Sequence, residues 1–269
     1  MVHATTPARY QAIPPVRDCA PRAARLRATP GKPRTLAAVE TTESRSLLST
    51  MAHEIRGPLS AVALSSELLL EDLDTMRPDQ MRSLAQRIHR GALWMQGLIE
   101  NVLCDAAIRD DRFELNLDWL DMTEVVREVQ DLLEPLLAVR SQELRLVFDT
   151  SLPMIRADRR RLGQVLMNLL LNASKFSPAG SPVIVSLGAS DAAVRVEVLD
   201  RGCGLDGEAT ALFEPYFRAE HARQAGVIGT GLGLAIVKAI VDAHGGSVGA
   251  DNRHHGGARF WFEIPAVAA

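Results

Sequence analysis

A chain of 269 residues, 47% of them hydrophobic, is long enough for one large or two modest folded units. Its net charge of −3 offers no overall nucleic-acid-binding surface, and three scattered cysteines (Cys19, Cys104, Cys203) make neither a disulfide framework nor a zinc knuckle. No apolar run reaches the roughly 18–20 residues that cross a bilayer, and the N-terminus lacks a secretion core, so a soluble cytoplasmic protein is expected.

Residues 1–40 hold six of the fourteen prolines and, up to Val39, seven Lys or Arg against the single acid Asp18, which predicts a basic disordered tail. From 41 to 74, Leu48, Ala52, Ile55, Leu59, Val62, Ser66, Leu69 and Leu73 recur at spacings of three and four, an a/d helical seam with Thr41 and Thr42 as candidate caps. After a break at Met76-Arg77-Pro78, Asp79 can cap a second helix running to about Ile108, with Met81, Leu84, Ile88, Gly91, Met95, Leu98 and Val102 as its seam. Two such helices make a hairpin about 45 Å long. Its seam is too long to be buried by one copy, so a dimeric four-helix bundle is expected.

From Phe113 the pattern changes to alternating strands and helices. Strands are predicted at 113–117, 144–150, 154–157, 182–189, 193–200, 246–251 and 258–264, and helices at 122–138, 159–174 and 232–244. Only Asp191-Ala192 separates two of the strands, so these are antiparallel neighbours. The whole is α+β, a hairpin over 41–110 followed at 111–269 by an α/β sandwich, one mixed sheet covered by helices on one face.

The stretch MAHEIRGPLS places His53 at a b position, off the seam and accessible to another protein. The H-E-x-x-H metal motif fails because position 57 is Gly. Pro58 removes the N–H that the carbonyl of Glu54 would accept, so a bend is expected. A neutral imidazole is available near pH 7 as a nucleophile, and Glu54 can take its proton. A structural or surface histidine remains the plain alternative until a phosphoryl donor is found.

Four later stretches bear on a donor. Asn168, Asn172 and Lys175 share one face of a helix, suited to Mg²⁺ and phosphate. DRGCGLDG follows a strand, with Asp200 able to accept from an amine and Gly202 and Gly204 allowing a tight turn. LFEPYFR sets Phe213, Tyr216 and Phe217 in a loop-rich region. GTGLGLAIVKAIVDAHGG opens a helix with Gly229, Gly231 and Gly233, an anion-binding arrangement that matches neither a phosphate-binding P-loop nor a dinucleotide fingerprint. Each alone also fits a solvated face, a strand end, an apolar cluster or a turn.

Taken in order, H-E-x-R-x-P-L, N-x-x-x-N-A-x-K-F-S, D-x-G-x-G, F-x-x-x-F-R and G-T-G-L-G-L-A-I closely resemble the sensor histidine kinases of two-component systems, over about residues 41 to 266. The resemblance implies a homodimer through the hairpin, with His53 as phosphoacceptor and Glu54 assisting, and a Bergerat-type ATP-binding domain shared with gyrase-type ATPases. It implies ATP and Mg²⁺ as ligands, with Asn172 on the metal and Asn168 beside it. Lys175 is implied at phosphate, Asp200 at the adenine amine, and Gly202 and Gly204 around the base. Phe213, Phe217 and Leu232 are assigned to the same nucleotide site. Residues 205–228 correspond to a lid, Arg218 to a charge on the transferring group, and Gly229, Gly231 and Gly233 to the turn at the triphosphate. The implied partner is the receiver domain of a response regulator.

Two departures stand out. A short basic tail stands where the family usually has an input domain. Gly57 occupies the position, four after the histidine, where family members with phosphatase activity usually carry Thr or Asn, so weak phosphatase activity is expected. A nucleotide-binding scaffold without catalysis is the competing class. A gyrase-like ATPase is disfavoured, because Gly163 and Gln164 stand where a catalytic acid would be needed.

Overall fold

The computed structural model describes residues 36–110, 112–149, 151–190, 193–206, 209–219 and 230–266, with side chains from Ala52 onward except those of His53 and Ser190. Two helices, α1 (Leu36–Asp72) and α2 (Pro78–Arg109), form the hairpin. Because α1 already begins at Leu36, residues 36–40 are helical rather than part of a disordered tail, and Thr41 and Thr42 lie inside the helix instead of capping it. The rest of the tail lies outside the described residues. The helix continues on both sides of Pro58.

Pro78, not a capping Asp79, opens α2. Its missing N–H costs nothing at the first helical position, and the N–H of Arg77 donates to Oε1 of Gln80 at 3.0 Å. Residues chosen by the seam are only half-covered. Leu59 and Leu73 are exposed, as are Leu64 and Leu70 on α1 and Ile99 and Leu103 on α2.

After the hairpin come β1 (Asp118–Leu120), α3 (Met122–Val139), β2 (Leu144–Phe148), β3 (Ile155–Ala157), α4 (Arg159–Phe176), β4 (Val183–Ser190) and β5 (Ala193–Leu199). A short 3-10 helix (Ala209–Phe213), α5 (Gly233–Ala243), β6 (Ser247–Asn252) and β7 (Ala258–Pro265) complete it. The strand expected at 113–117 is not there; the extended pairing starts at Asp118, opposite Ala157. The alternation of Phe113 and Leu115 has another cause. Both are half-buried, Phe113 stacks under the Arg161 guanidinium at 4.7 Å, and the Asn116 N–H bonds a side chain, Oδ2 of Asp158, at 2.9 Å.

The main sheet has the order β2-β4-β5-β7-β6, with β2 parallel to β4 and every other pair antiparallel, including β4 with β5 as expected. Alternation decides its faces. Val194, Val196 and Val198 of β5, with Phe260, Phe262 and Ile264 of β7, are buried in one core with Leu162, Leu166 and Leu169 of α4 and Ile236 and Ile240 of α5. Between them on the other face, Arg195 pairs with Glu197 and Glu263 and lies 4.0 Å over the Trp261 ring.

Asp158 caps α4 by accepting from the Arg161 N–H at 3.0 Å. Its own N–H donates to Nε2 of His244, just past the end of α5, whose Nδ1 lies 2.7 Å from the Ile240 carbonyl. One residue thus joins the connector at Asn116, the start of α4 and the end of α5.

Candidate active site

The helical phase of α4 brings Asn168, Asn172 and Lys175 to the mouth of a cavity, while Val165, Leu166, Leu169 and Leu170 turn into the core. Asp200, Gly202, Gly204, Phe217, Arg218, Gly231 and Gly233 line the same cavity. So does Glu54, reaching in from α1. Phe213 and Leu232 do not: both are buried in the core, Leu232 completely, so they support the walls rather than border the cavity. Gly229, and the parts of the expected lid at 207–208 and 220–228, lie outside the described residues. His53 is in α1 immediately before Glu54, and its side chain is likewise outside the description.

Asp200 sits at the end of β5, almost fully buried. Its Oδ1 accepts from the N–H groups of Gly202 at 2.8 Å and Ala258 at 3.0 Å. Burial pushes its carboxyl above the ordinary aspartate range, and the two backbone donors and Arg253 oppose that shift. A carboxylate so fixed is an oriented acceptor facing the cavity. Gly202 is required because a Cβ there would lie 2.8 Å from the Phe176 carbonyl oxygen. Gly231, at φ +75°, would set a Cβ 2.7 Å from the backbone of Tyr216, whose N–H donates to the Gly231 carbonyl at 3.0 Å. The constraint here comes from the neighbouring loop. The hydroxyl of Thr230 accepts from the Leu232 N–H at 3.2 Å and starts the turn into α5.

Glu54 is buried, and its Oε1 has no hydrogen-bond partner among the described residues. Burial raises its carboxyl above the usual glutamate range, against the attraction of Lys175 and Arg218. Lys175 is shifted the other way, lowered by burial and by Arg218 although Glu54 supports its charge. An acid from the hairpin and a cation from α4 therefore share one desolvated space.

Magnesium fits this donor set as a shared ion. Among the described residues no cluster of three or more His, Cys, Asp or Glu forms a protein cage. A single amide oxygen from Asn172, next to an anionic ligand, suits a hard cation that keeps its waters and takes its remaining ligands from phosphate.

Some members of the site are invisible in the motifs. Asn101 of α2 is buried between Gln164 and Asn168, and Trp94 and Gly97 of the same helix line the cavity. Only their position on one face of α2 signals them; their partners are too far along the chain for any local pattern.

Comparison with known proteins agrees with this architecture. Residues 43–109 match the His Kinase A (phospho-acceptor) domain, and residues 157–268 match the histidine kinase-, DNA gyrase B- and HSP90-like ATPase family. The sensor protein KdpD of Escherichia coli K12 is 34% identical over 224 residues, which is 83% of this chain and 24% of KdpD. Full-length ShkA, solved in complex with AMPPNP, is 32% identical with a TM-score of 0.57, covering 84% of this chain and 46% of that one. The catalytic domain of the histidine kinase ThkA is 30% identical with a TM-score of 0.51, and 99% of it is covered by 57% of this chain.

The chain belongs to the sensor histidine kinases. ThkA has also been solved with the response regulator protein TrrA, and that histidine kinase is 25% identical here, with a TM-score of 0.54, covering 86% of this chain and 63% of that one. This histidine kinase spans about a quarter of the length of KdpD. Among its described residues no helix is long and apolar enough to cross a membrane.

Proposed function

We propose that the chain is an ATP-dependent, autophosphorylating protein-histidine kinase that passes its phosphoryl group to an aspartate of a response regulator. Residues 41–110 act as the phosphoacceptor and dimerisation hairpin and 111–269 as the ATP-binding domain. The observation that carries this reading is the entry of Glu54, the neighbour of His53, into the cavity that holds Asn172, Lys175 and Asp200. A scaffold that only binds nucleotide has no use for a buried carboxylate there, whose ionised form burial disfavours.

In the proposed reaction an imidazole nitrogen of His53 attacks the γ-phosphorus of ATP. The N–P bond forms, the P–O bond to ADP breaks, and the ring proton passes to Glu54. Lys175 and Arg218 offset the charge on the transferring group, Asp200 orients the adenine amine, and Asn172 supplies an oxygen for Mg²⁺. When bound, the ion neutralises phosphate charge. Recognition of a receiver domain is supported by the ThkA–TrrA complex. Dimerisation is supported by the exposed leucines of α1, and weak phosphatase activity by the lack of a side chain at Gly57.

Incubation with Mg·ATP labelled on the γ-phosphate tests the reading. An acid-labile label is expected on the wild type and on no other residue than His53. His53→Gln should carry none, and Asn172→Ala should label at least about a hundredfold more slowly, the scale of a lost electrostatic group. Undiminished label on His53→Gln would place the acceptor elsewhere.

A further inference from the structure

The hairpin and the nucleotide-binding fold are joined by a buried amide junction. Asn101 donates from Nδ2 to Oδ1 of Asn168 at 2.9 Å. Its own Oδ1 accepts from Nδ2 of Asn168 and from Nε2 of Gln164, both at 3.1 Å. All three residues are at least nine-tenths buried; the Asn101 and Asn168 amides pair with each other, and Gln164, whose Oε1 also accepts from Arg161 at 3.2 Å, gives its Nε2 to Asn101. One turn further along α2, a second contact repeats the theme. The Tyr216 hydroxyl donates to Oδ2 of Asp105 at 3.2 Å and accepts from Arg109, which also binds that carboxylate from Nε at 2.9 Å. Tyr216 is tied in turn to the glycine turn through the Gly231 carbonyl. Both faces of the nucleotide cavity, α4 on one side and the glycine turn on the other, are therefore fastened to a single stretch of α2.

We propose that Asn101 is a positioning residue for phosphoryl transfer: by docking Asn168 and Gln164 on α2 it holds the nucleotide cavity in the register that admits Glu54. This rests on the kinase reading above. Asn101 also borders the cavity, but all its side-chain hydrogen bonds among the described residues go to α4. It acts through Asn168, one helical turn from Asn172 and beside the start of α5, where a Cβ on Gly233 would lie 3.6 Å from the Asn168 oxygen. The junction also discriminates. A buried, fully paired amide triplet has one good arrangement, whereas an apolar contact slides, so the polar choice fixes register at some cost in stability. Breaking it leaves the Asn168 amide and the Gln164 Nε2 unpaired if the two parts stay docked, so separation becomes the cheaper state.

The test compares the full chain with Asn101→Leu, which keeps the branched outline, does not weaken the helix and removes all three hydrogen bonds. Labelling of His53 at saturating Mg·ATP is expected to slow at least about tenfold, while the affinity for a fluorescent ATP analogue stays within about twofold, the signature of lost positioning rather than lost binding. Gln164→Met, which removes one bond from the opposite side, should slow labelling in the same direction by less and guards against misfolding of the first variant. Labelling of either well-folded variant at or above the wild-type rate overturns the proposal, as does an equal loss of nucleotide affinity. Hydrogen exchange of amides 97–105 provides an arm independent of activity: faster exchange in Asn101→Leu is expected, and identical exchange overturns the proposal even if the wild type carries no label. An unlabelled wild type together with faster exchange in Asn101→Leu would overturn the kinase reading alone.

Discussion

Glu54 combines two properties that oppose each other. Burial makes its carboxylate a stronger base than an exposed glutamate, which favours accepting a proton from His53, and the same burial makes the ionised form costly. Glu54→Gln separates the two. Labelling of His53 should fall by about 10²–10⁴, the usual contribution of a positioned base. Stability should move the other way. With the folded-state pKa raised, the protonated form stabilises the wild type below the ordinary glutamate range, and that contribution is lost as pH rises through the raised folded value. The glutamine variant therefore melts at the same or higher temperature near neutrality, and the difference shrinks towards acid; a difference growing as pH falls, in melts from pH 4 to 8, would contradict the assignment. Gly57 is a simpler case. It is exposed on α1, and a Cβ there meets nothing within 4 Å, so larger side chains fit without repacking. Gly57→Thr should raise phosphatase activity towards a phosphorylated cognate receiver domain at least about tenfold, if one hydroxyl suffices to orient the attacking water. Equal activity of the two proteins in a phosphate-release assay would remove Gly57 as the cause.

At the scale of elements, the hairpin is unfinished. Leu64 and Leu70 on α1 are 58% and 83% exposed, and Leu59 and Leu73 about half exposed, so one copy leaves much of α1 wet. Burying a leucine contributes about 1.5–3 kcal/mol, and a second hairpin offers the complementary surface. A Leu59→Glu, Leu70→Glu double variant should therefore sediment as a monomer at micromolar concentration where the wild type is a dimer, with the β-sheet circular dichroism unchanged; a monomeric wild type defeats the bundle. The heptad pattern pointed to this hairpin because its signal is local. The α4 amides were also legible from spacing alone, since i, i+4 and i+7 define a face whatever surrounds it. Asn101 was not. On α2 it is one polar residue off the seam, and its partners at 164 and 168 are joined to it only by folding. Phe213 and Leu232 failed for the converse reason: their motifs mark the neighbourhood of the nucleotide, while their apolar side chains face the core.

Across the whole molecule, the later strands were predictable because one face of the sheet is buried and the other wet, which writes a period of two into β5 and β7. The same rule misplaced β1, where Phe113 and Leu115 alternate as they pack but, among the described residues, no strand lies opposite to receive their backbone. That connector has a mechanical role. Asp158 grips it through Asn116, begins α4 and holds His244 at the end of α5. Beside the direct contacts of α2 at Asn101 and Asp105, the connector thus meets one residue bonded to both helices. The Asn172 side of the cavity and the helix behind its glycine turn are thereby geared to one another through a single residue.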